Sequence, residues 1–120
     1  MDTRRVQDQA IYTKIYDLTL WLFPHVAKFP KHERGGLALS IKQCDLELLR
    51  YVVLAYNSRM NKARFLESAS AELDLLRLLI RMSVDLRYTS IKQYQFASEL
   101  VNEVGRMLGG WISSQGKRAT

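Results

Sequence analysis

From Leu37 to Val104 the chain contains neither glycine nor proline. Glycine and proline are the residues that weaken or break helices, so this stretch permits long helices joined by short turns. The two prolines, Pro24 and Pro30, lie in the first quarter of the chain. Apolar residues recur three and four positions apart, and this periodicity predicts four helices, over about residues 6–28, 37–57, 61–88 and 91–113.

Each predicted helix carries an apolar stripe along one face, and in helix 2 the stripe is formed by Leu37, Ile41, Cys44, Leu48, Tyr51 and Ala55. Ser90 and Gln93 have the spacing of a capping box, which predicts that helix 4 begins directly after helix 3. Short connections favour antiparallel neighbours. The sequence therefore predicts an all-α, antiparallel up-down-up-down four-helix bundle. It forms a single domain over residues 1–120, with short flexible termini at about 1–5 and 114–120.

Three helices carry a second set of apolar residues beyond the core stripe. A wide core could use them, but a subunit interface is the favoured interpretation. Gly105 and Gly109 add to it, since glycine inside a helix is costly and predicts close approach of a neighbouring backbone, with a frayed C-terminus as the alternative. The candidate interface residues are Tyr12, Tyr16, Leu46, Leu49, Leu75, Leu78, Met82, Gly109 and Trp111.

The net charge of +6 and a pI of about 9.7 permit contact with phosphates or acidic proteins. The basic residues are spread over both ends and the helix bodies, which suits contact with a nucleic-acid backbone better than one base-reading helix. Arg77 and Arg81 share a face of helix 3. Local pairs with Asp74 and Asp85 are the favoured explanation for them, and a docking surface is the alternative. The candidate nucleic-acid or partner-binding residues are Lys14, Lys28, Lys31, Arg34, Arg59, Lys62, Arg64, Arg77, Arg81 and Arg87.

No pattern of catalytic or metal-binding residues is found. There is no Glu-x-x-His motif and no phosphate-binding glycine loop, and His25, His32 and Cys44 lack the spacing of metal ligands. We expect no enzyme activity, no metal and no cofactor. A lone cysteine, a polar N-terminus and apolar stretches too short to span a bilayer predict a cytoplasmic protein without a membrane segment.

Three segments of the chain are similar to a known family. They are Phe29-Pro30-Lys31 with Arg34-Gly35 before helix 2, Asp85-Leu86-Arg87-Tyr88 before Ser90-Ile91, and the most specific segment, Gly105-Arg106-Met107-Leu108-Gly109-Gly110-Trp111-Ile112. The chain resembles the accessory variability determinant proteins of diversity-generating retroelements, which are related to four-helix proteins encoded in ribosomal-RNA intervening sequences. Helix 2 ends in Val53-Leu54-Ala55-Tyr56-Asn57, which favours the retroelement branch.

The resemblance implies a homo-oligomeric, pentameric barrel of four-helix bundles. It also implies a non-catalytic accessory protein that binds the element's reverse transcriptase and its template RNA or complementary DNA, and so supports mutagenic reverse transcription and retrohoming. The alternative is an oligomeric interaction protein of the intervening-sequence type without a reverse-transcriptase partner. A third possibility, an enzyme, would require a polar pocket within the bundle, which the apolar stripes do not predict.

Overall fold

The computed structural model describes the backbone of residues 3–119 and the side chains of residues 10–115, and all regular structure in this part is helical. The four helices are α1 (Thr3–Val26), α2 (Leu37–Asn57), α3 (Lys62–Asp85) and α4 (Ile91–Ala119). A single 3-10 turn, Lys31–Glu33, lies in the connection between α1 and α2. The all-α prediction and the number of helices are therefore confirmed.

The predicted helix limits agree with the structure where turn residues are distinctive and differ elsewhere. α2 occupies the predicted range and α4 begins at the predicted residue, but α4 continues to Ala119 and α1 begins at Thr3. α3 ends at Asp85, earlier than predicted, because Arg87 adopts a left-handed backbone conformation with φ of 67°. The ends of the chain predicted to be flexible are helical from Thr3 and up to Ala119, and residues 1, 2 and 120 lie outside the described part.

Contacts between helices place α1 beside α2 and α4, and α3 beside α2 and α4. The Tyr12 and Tyr56 rings meet near one end of the α1–α2 pair, with centroids 5.8 Å apart, and the Thr19 and Asp45 side chains meet near its middle. Residue numbers therefore rise along α1 as they fall along α2. Contacts between the other neighbours follow the same rule, so each helix is antiparallel to both of its neighbours, as predicted.

The predicted stripes form the core. The predicted stripe residues of α1 and α3 are all buried: Ile11, Ile15, Leu18 and Leu22 in α1, and Leu66, Ala69, Leu73, Leu76 and Ile80 in α3. In α4 the stripe residues Ala97, Val101, Val104 and Leu108 are buried, whereas Tyr94 and Trp111 are half-buried. In α2 the one difference is that Val52 is fully buried where Tyr51 was expected. The difference arises because a straight helix turns by about 100° per residue, so a strict three-and-four pattern drifts along its surface. Each fully buried side chain of this size contributes about 1.5–3 kcal/mol to folding.

The capping box at the start of α4 is confirmed. The backbone N–H of Gln93 donates to Ser90 Oγ at 3.1 Å, and the Ser90 N–H donates to Gln93 Oε1 at 2.9 Å. These two bonds satisfy donors that the first turn of a helix leaves free. The short connection between α3 and α4, which contains Ser90, places residues 85–92 beside the α1–α2 loop. Among the described residues, no helix is long and apolar enough to cross a membrane.

Candidate partner and nucleic-acid surfaces

Two apolar surfaces face outward on different sides of the bundle. The first lies over α1 and α2. Tyr12 and Phe23 of α1 contact α2, and Tyr16, which is 60% exposed, lies on the same side of α1 as these two residues. We name this surface, formed by Tyr16, Leu20, Leu39, Leu46 and Val53, the α1–α2 face. The second, the α3 outer face, is formed by Leu75, Leu78, Met82 and Leu86. The first surface lies on the flank of α2 that is turned toward α1, and the second lies on the outer side of α3, so one subunit presents two separate apolar surfaces.

The predicted interface residues divide into two groups. Tyr16, Leu46, Leu75, Leu78 and Met82 are exposed large hydrophobic side chains, and Leu78 is the most open at 63%. The remaining aromatic and leucine residues of the set are half-buried and pack partly against the subunit's own core: Tyr12, Leu49 and Trp111. The wide-core interpretation therefore accounts for this second group but leaves the first group without an explanation inside one subunit.

The two helical glycines have different surroundings. A Cβ atom added at Gly105 would lie 2.6 Å from Nη2 of Arg77, whereas one added at Gly109 would meet nothing within 4 Å. The expected close approach of a neighbouring backbone is thus wrong within the subunit, since Gly105 makes room for a guanidinium group. Fraying does not explain the glycines either, because α4 continues past both to Ala119.

Arg77 lies in a groove between α3 and α4. Its guanidinium rests over Gly105, and its buried Nε has no hydrogen-bond partner. The groove has a volume of about 430 Å³ and is lined by Ser70, Leu73, Asp74, Arg77, Asn102, Gly105, Arg106 and Gly109. Among residues 10–115, the local ion pairs of Arg77 with Asp74 and of Arg81 with Asp85 do not form. Local pairing therefore does not account for these arginines.

The other predicted binding residues are distributed as the sequence predicted, over both ends and the helix bodies. Lys14 and Lys62 are half-buried, whereas the others are exposed. Nζ of Lys14, on α1, lies 3.2 Å from Oε1 of Glu103 on α4. Lys62 lies over the Trp111 ring, 5.5 Å from its centroid. Exposed side chains at the end that holds the α2–α3 connection are Arg59 and Arg64, and those at the opposite end are Lys28, Lys31, Arg34 and Arg87.

The buried carboxyl group of Asp45 was not anticipated from the sequence. Asp45 is 0% exposed, and its Oδ2 lies 2.5 Å from Oγ1 of Thr19, whose hydroxyl also lies 2.9 Å from the carbonyl of Ile15. A hydroxyl has one proton to donate, so if Thr19 donates to Ile15, the proton between Thr19 and Asp45 belongs to the carboxyl group. Burial raises the pKa of Asp45 to about 6, against the lowering effect of the Thr19 hydrogen bond.

Cys44, the neighbour of Asp45, points to the other side of α2. Its Sγ donates to the backbone carbonyl of Glu72 at 3.1 Å and lies 3.3 Å from Glu72 Oε2, which ties α2 to α3. Burial, together with the hydrogen bond and charge of Glu72, raises the pKa of Cys44 to about 12. Such a thiol is structural and unreactive. Among the described residues, no group of three or more His, Cys, Asp or Glu side chains could hold a metal ion.

Comparison with known families decides the class of protein. A family model described as bAvd-like, for bacterial accessory variability determinant, matches residues 9–115. The chain belongs to the bAvd-like family. This match confirms the resemblance that the sequence motifs indicated, and it includes all of α2 and α3, most of α1 and α4, and every predicted site residue. A search of curated proteins gave no match to the bAvd-like chain. The family is one of accessory proteins associated with retroelements.

Proposed function

We propose that this bAvd-like chain is the non-catalytic accessory subunit of a diversity-generating retroelement. In this proposal it binds the element's reverse transcriptase and its template RNA or complementary DNA, and supports mutagenic reverse transcription and retrohoming in the cytoplasm. The observation that carries the proposal is the family match over residues 9–115. The dispersed cations, most of them exposed, support it because they suit contact with phosphates without base reading.

The two apolar faces support assembly into a closed ring. A symmetric dimer uses the same patch on both subunits, whereas a contact between two different patches repeats from subunit to subunit and forms a ring where the rotation closes, or a filament where it does not. In this ring the α1–α2 face of one copy packs against the α3 outer face of the next. The number of subunits, five, is taken from the family, since the two faces favour a ring without fixing its size.

Light scattering coupled to gel filtration tests the assembly. The wild-type chain of 13.9 kDa should elute as a species of about 70 kDa. Leu78→Glu combined with Met82→Glu should give a folded species of lower mass, because two carboxylates would have to lose their water in the contact. Met60→Glu is the matched control, since Met60 is exposed but lies in the α2–α3 connection, away from both faces. A helical wild-type monomer at all concentrations would refute the ring.

The proposed binding residues divide by position. The α3–α4 groove with Arg77, and Arg81 near it, is assigned to the protein partner, because the half-buried Arg77 has an Nε without a hydrogen-bond partner and a guanidinium group suits a carboxylate on a docked protein. The exposed lysines and arginines at the two ends are assigned to nucleic acid. Arg77→Gln with Arg81→Gln should then reduce capture of the cognate reverse transcriptase, whereas Lys42→Gln with Arg50→Gln, which removes two charges from α2 outside the groove, should not. Equal capture by both variants would contradict this assignment.

The competing function is an interaction protein of the intervening-sequence type, without a reverse-transcriptase partner. Salt dependence of RNA binding separates the two. Affinity that falls steeply between 50 and 200 mM salt indicates release of counterions from phosphates and supports the retroelement function. RNA binding that is absent at 50 mM salt, together with no capture of reverse transcriptase, favours the alternative.

A further inference from the structure

A row of six aromatic rings extends along the bundle to the end that holds the α1–α2 loop and the α3–α4 connection. Consecutive rings touch: centroid distances are 4.6 Å for Trp21 and His25, 5.3 Å for Phe29 and Tyr88, and 6.5 Å for Tyr88 and His32. In spatial order the aromatic row is Phe96, Trp21, His25, Phe29, Tyr88 and His32. Phe96 at one end of the row is 49% exposed, Phe29 is buried, and at the other end Tyr88 is half-buried and His32 is exposed, so the row meets solvent at both ends.

Polar bonds hold this row in place. His25 Nε2 lies 2.8 Å from Oγ1 of Thr89, which lies 2.7 Å from Oγ of Ser83, and Ser83 donates to the carbonyl of Ile80 at 2.5 Å. Since Ser83 donates onward, it accepts from Thr89, and Thr89 accepts from His25. Burial and the nearby Lys28 lower the pKa of His25, which favours the neutral ring. These bonds fix the His25 ring, in the middle of the row, before any ligand binds.

Positive charge surrounds the end of the row that is formed by Tyr88 and His32. The segments 28–34 and 85–92 carry five cations and two carboxylates. Their net charge of +3 is half of the chain's net charge of +6. The cations are Lys28, Lys31, Arg34, Arg87 and Lys92, and all five are exposed. His32 lies between Lys31 and Arg34 along the chain, and Tyr88 follows Arg87 directly, so the two open rings are next to cations.

Arg87 occupies a backbone position that suits glycine. Its φ is 67°, it lies two residues after the end of α3 at Asp85, and the Tyr88 N–H that follows donates to the carbonyl of Ser83 at 2.8 Å. Glycine adopts this conformation without the steric cost that a side chain brings. Among residues 10–115 the Arg87 side chain forms no ion pair, so contacts within the subunit do not explain an arginine here. A residue kept in a strained conformation points to a role outside the fold.

We infer that this end of the bundle binds single-stranded RNA, with unpaired bases stacked on Tyr88 and His32 and phosphates held by the surrounding cations. The inference rests on the proposed function and adds the form of nucleic acid and the place where it binds. Base stacking on aromatic side chains requires bases that are not already stacked in a duplex. An acidic protein would use the cations but not the open rings, which is why RNA is favoured.

Arg87→Gly tests whether the Arg87 side chain binds RNA or serves the fold, because these two roles predict different results. Loss of one phosphate contact should lower the affinity for a labelled 20-nucleotide oligouridine about fivefold at 0.1 M salt and reduce the salt slope by about 0.7. The same change should leave the thermal midpoint unchanged or raise it, because glycine relieves the backbone. Arg64→Gln at the opposite end removes the same charge and should cause a clearly smaller loss of affinity.

His32→Ala tests the role of the ring. Removal of one stacking partner should weaken oligouridine binding about fivefold or more. His32→Tyr, which keeps a ring, should bind as the wild type does. An abasic 20-mer, with the same backbone charge and no bases, should bind the wild type and His32→Ala equally. His32 is exposed and its one hydrogen bond is a 3.4 Å contact with Tyr88, so the variant is expected to fold.

The outcomes distinguish this inference from the proposed function. If the wild type binds oligouridine with a steep salt dependence, but Arg87→Gly and Arg64→Gln weaken it equally and His32→Ala has no effect, the binding site is elsewhere and the RNA-binding function stands. If the wild type binds no RNA at 50 mM salt, both fail. If polyglutamate displaces oligouridine when the two polymers supply equal concentrations of negative charge, the surface recognises acidic protein and the inference is wrong.

Discussion

The buried carboxyl group of Asp45 gives the stability of the protein a defined dependence on pH. In the folded chain its pKa is about 6, compared with an ordinary value of 3.8. Because the folded-state pKa is the higher one, the contribution of Asp45 to stability is full below about pH 4 and is lost as pH rises through 6. The difference of about two pKa units corresponds to about 3 kcal/mol at pH 8.

The test changes the pH and compares the stability of the wild type with that of a variant that cannot ionise at position 45. Asp45→Asn keeps a donor toward Thr19, because the amide N–H takes the place of the carboxyl O–H. The free energy of unfolding would be measured by urea denaturation for both proteins from pH 4 to pH 8, at one protein concentration because assembly adds to apparent stability. Subtracting the variant's value from that of the wild type isolates Asp45 from other titrating groups.

We expect this difference to fall by about 2–3 kcal/mol between pH 4 and pH 8, with most of the fall below pH 7. A difference that stays constant would show that Asp45 has the same pKa in the folded and unfolded chains. A difference that rises with pH would show a carboxylate stabilised by the fold. Either result would refute the assignment of a buried proton to the α1–α2 contact.

Three further predictions concern the core and the helix surface. Cys44, with its pKa raised to about 12, should react with iodoacetamide at pH 8 about a thousandfold more slowly than a free thiol, and a rate within tenfold of the free thiol would contradict this. Leu48→Ala should cost about 2–5 kcal/mol in urea denaturation, because Leu48 is 0% exposed; a loss below 1 kcal/mol would mean that the core repacks freely. Gly109→Ala should raise the thermal midpoint of the unassembled subunit by about 4 °C, since alanine favours a helix by about 1 kcal/mol and meets no neighbouring atom, whereas a decrease would reveal a contact at this position.

The helices and the core were predictable because they follow from local patterns. α2 lies between Gly36 and Ser58, and its apolar period is regular, so its range and buried face could be derived from the sequence alone. The capping box of Ser90 and Gln93 fixed the start of α4 in the same way. The early end of α3 was not predictable, because Arg87 adopts a conformation for which glycine is the usual signal.

The buried polar groups depend on contacts between distant parts of the chain. Asp45 is buried because Thr19, 26 residues earlier, faces it from α1. Arg77 was predicted as a docking residue, but its position over Gly105 depends on the packing of α4 against α3. The aromatic row is a partial exception: Trp21 and His25 are four residues apart and so lie on one side of α1, whereas Phe29 lies beyond the end of α1 and nothing local indicates that Tyr88 continues the row.

The most direct test of the account is sedimentation velocity of the wild-type chain mixed with its cognate reverse transcriptase and labelled template RNA. We expect one rapidly sedimenting species that contains all three components, with no free chain at 13.9 kDa when the partners are in excess. A chain that sediments as a monomer, separate from both the polymerase and the RNA at low salt, would contradict the proposal that it is an assembled accessory subunit.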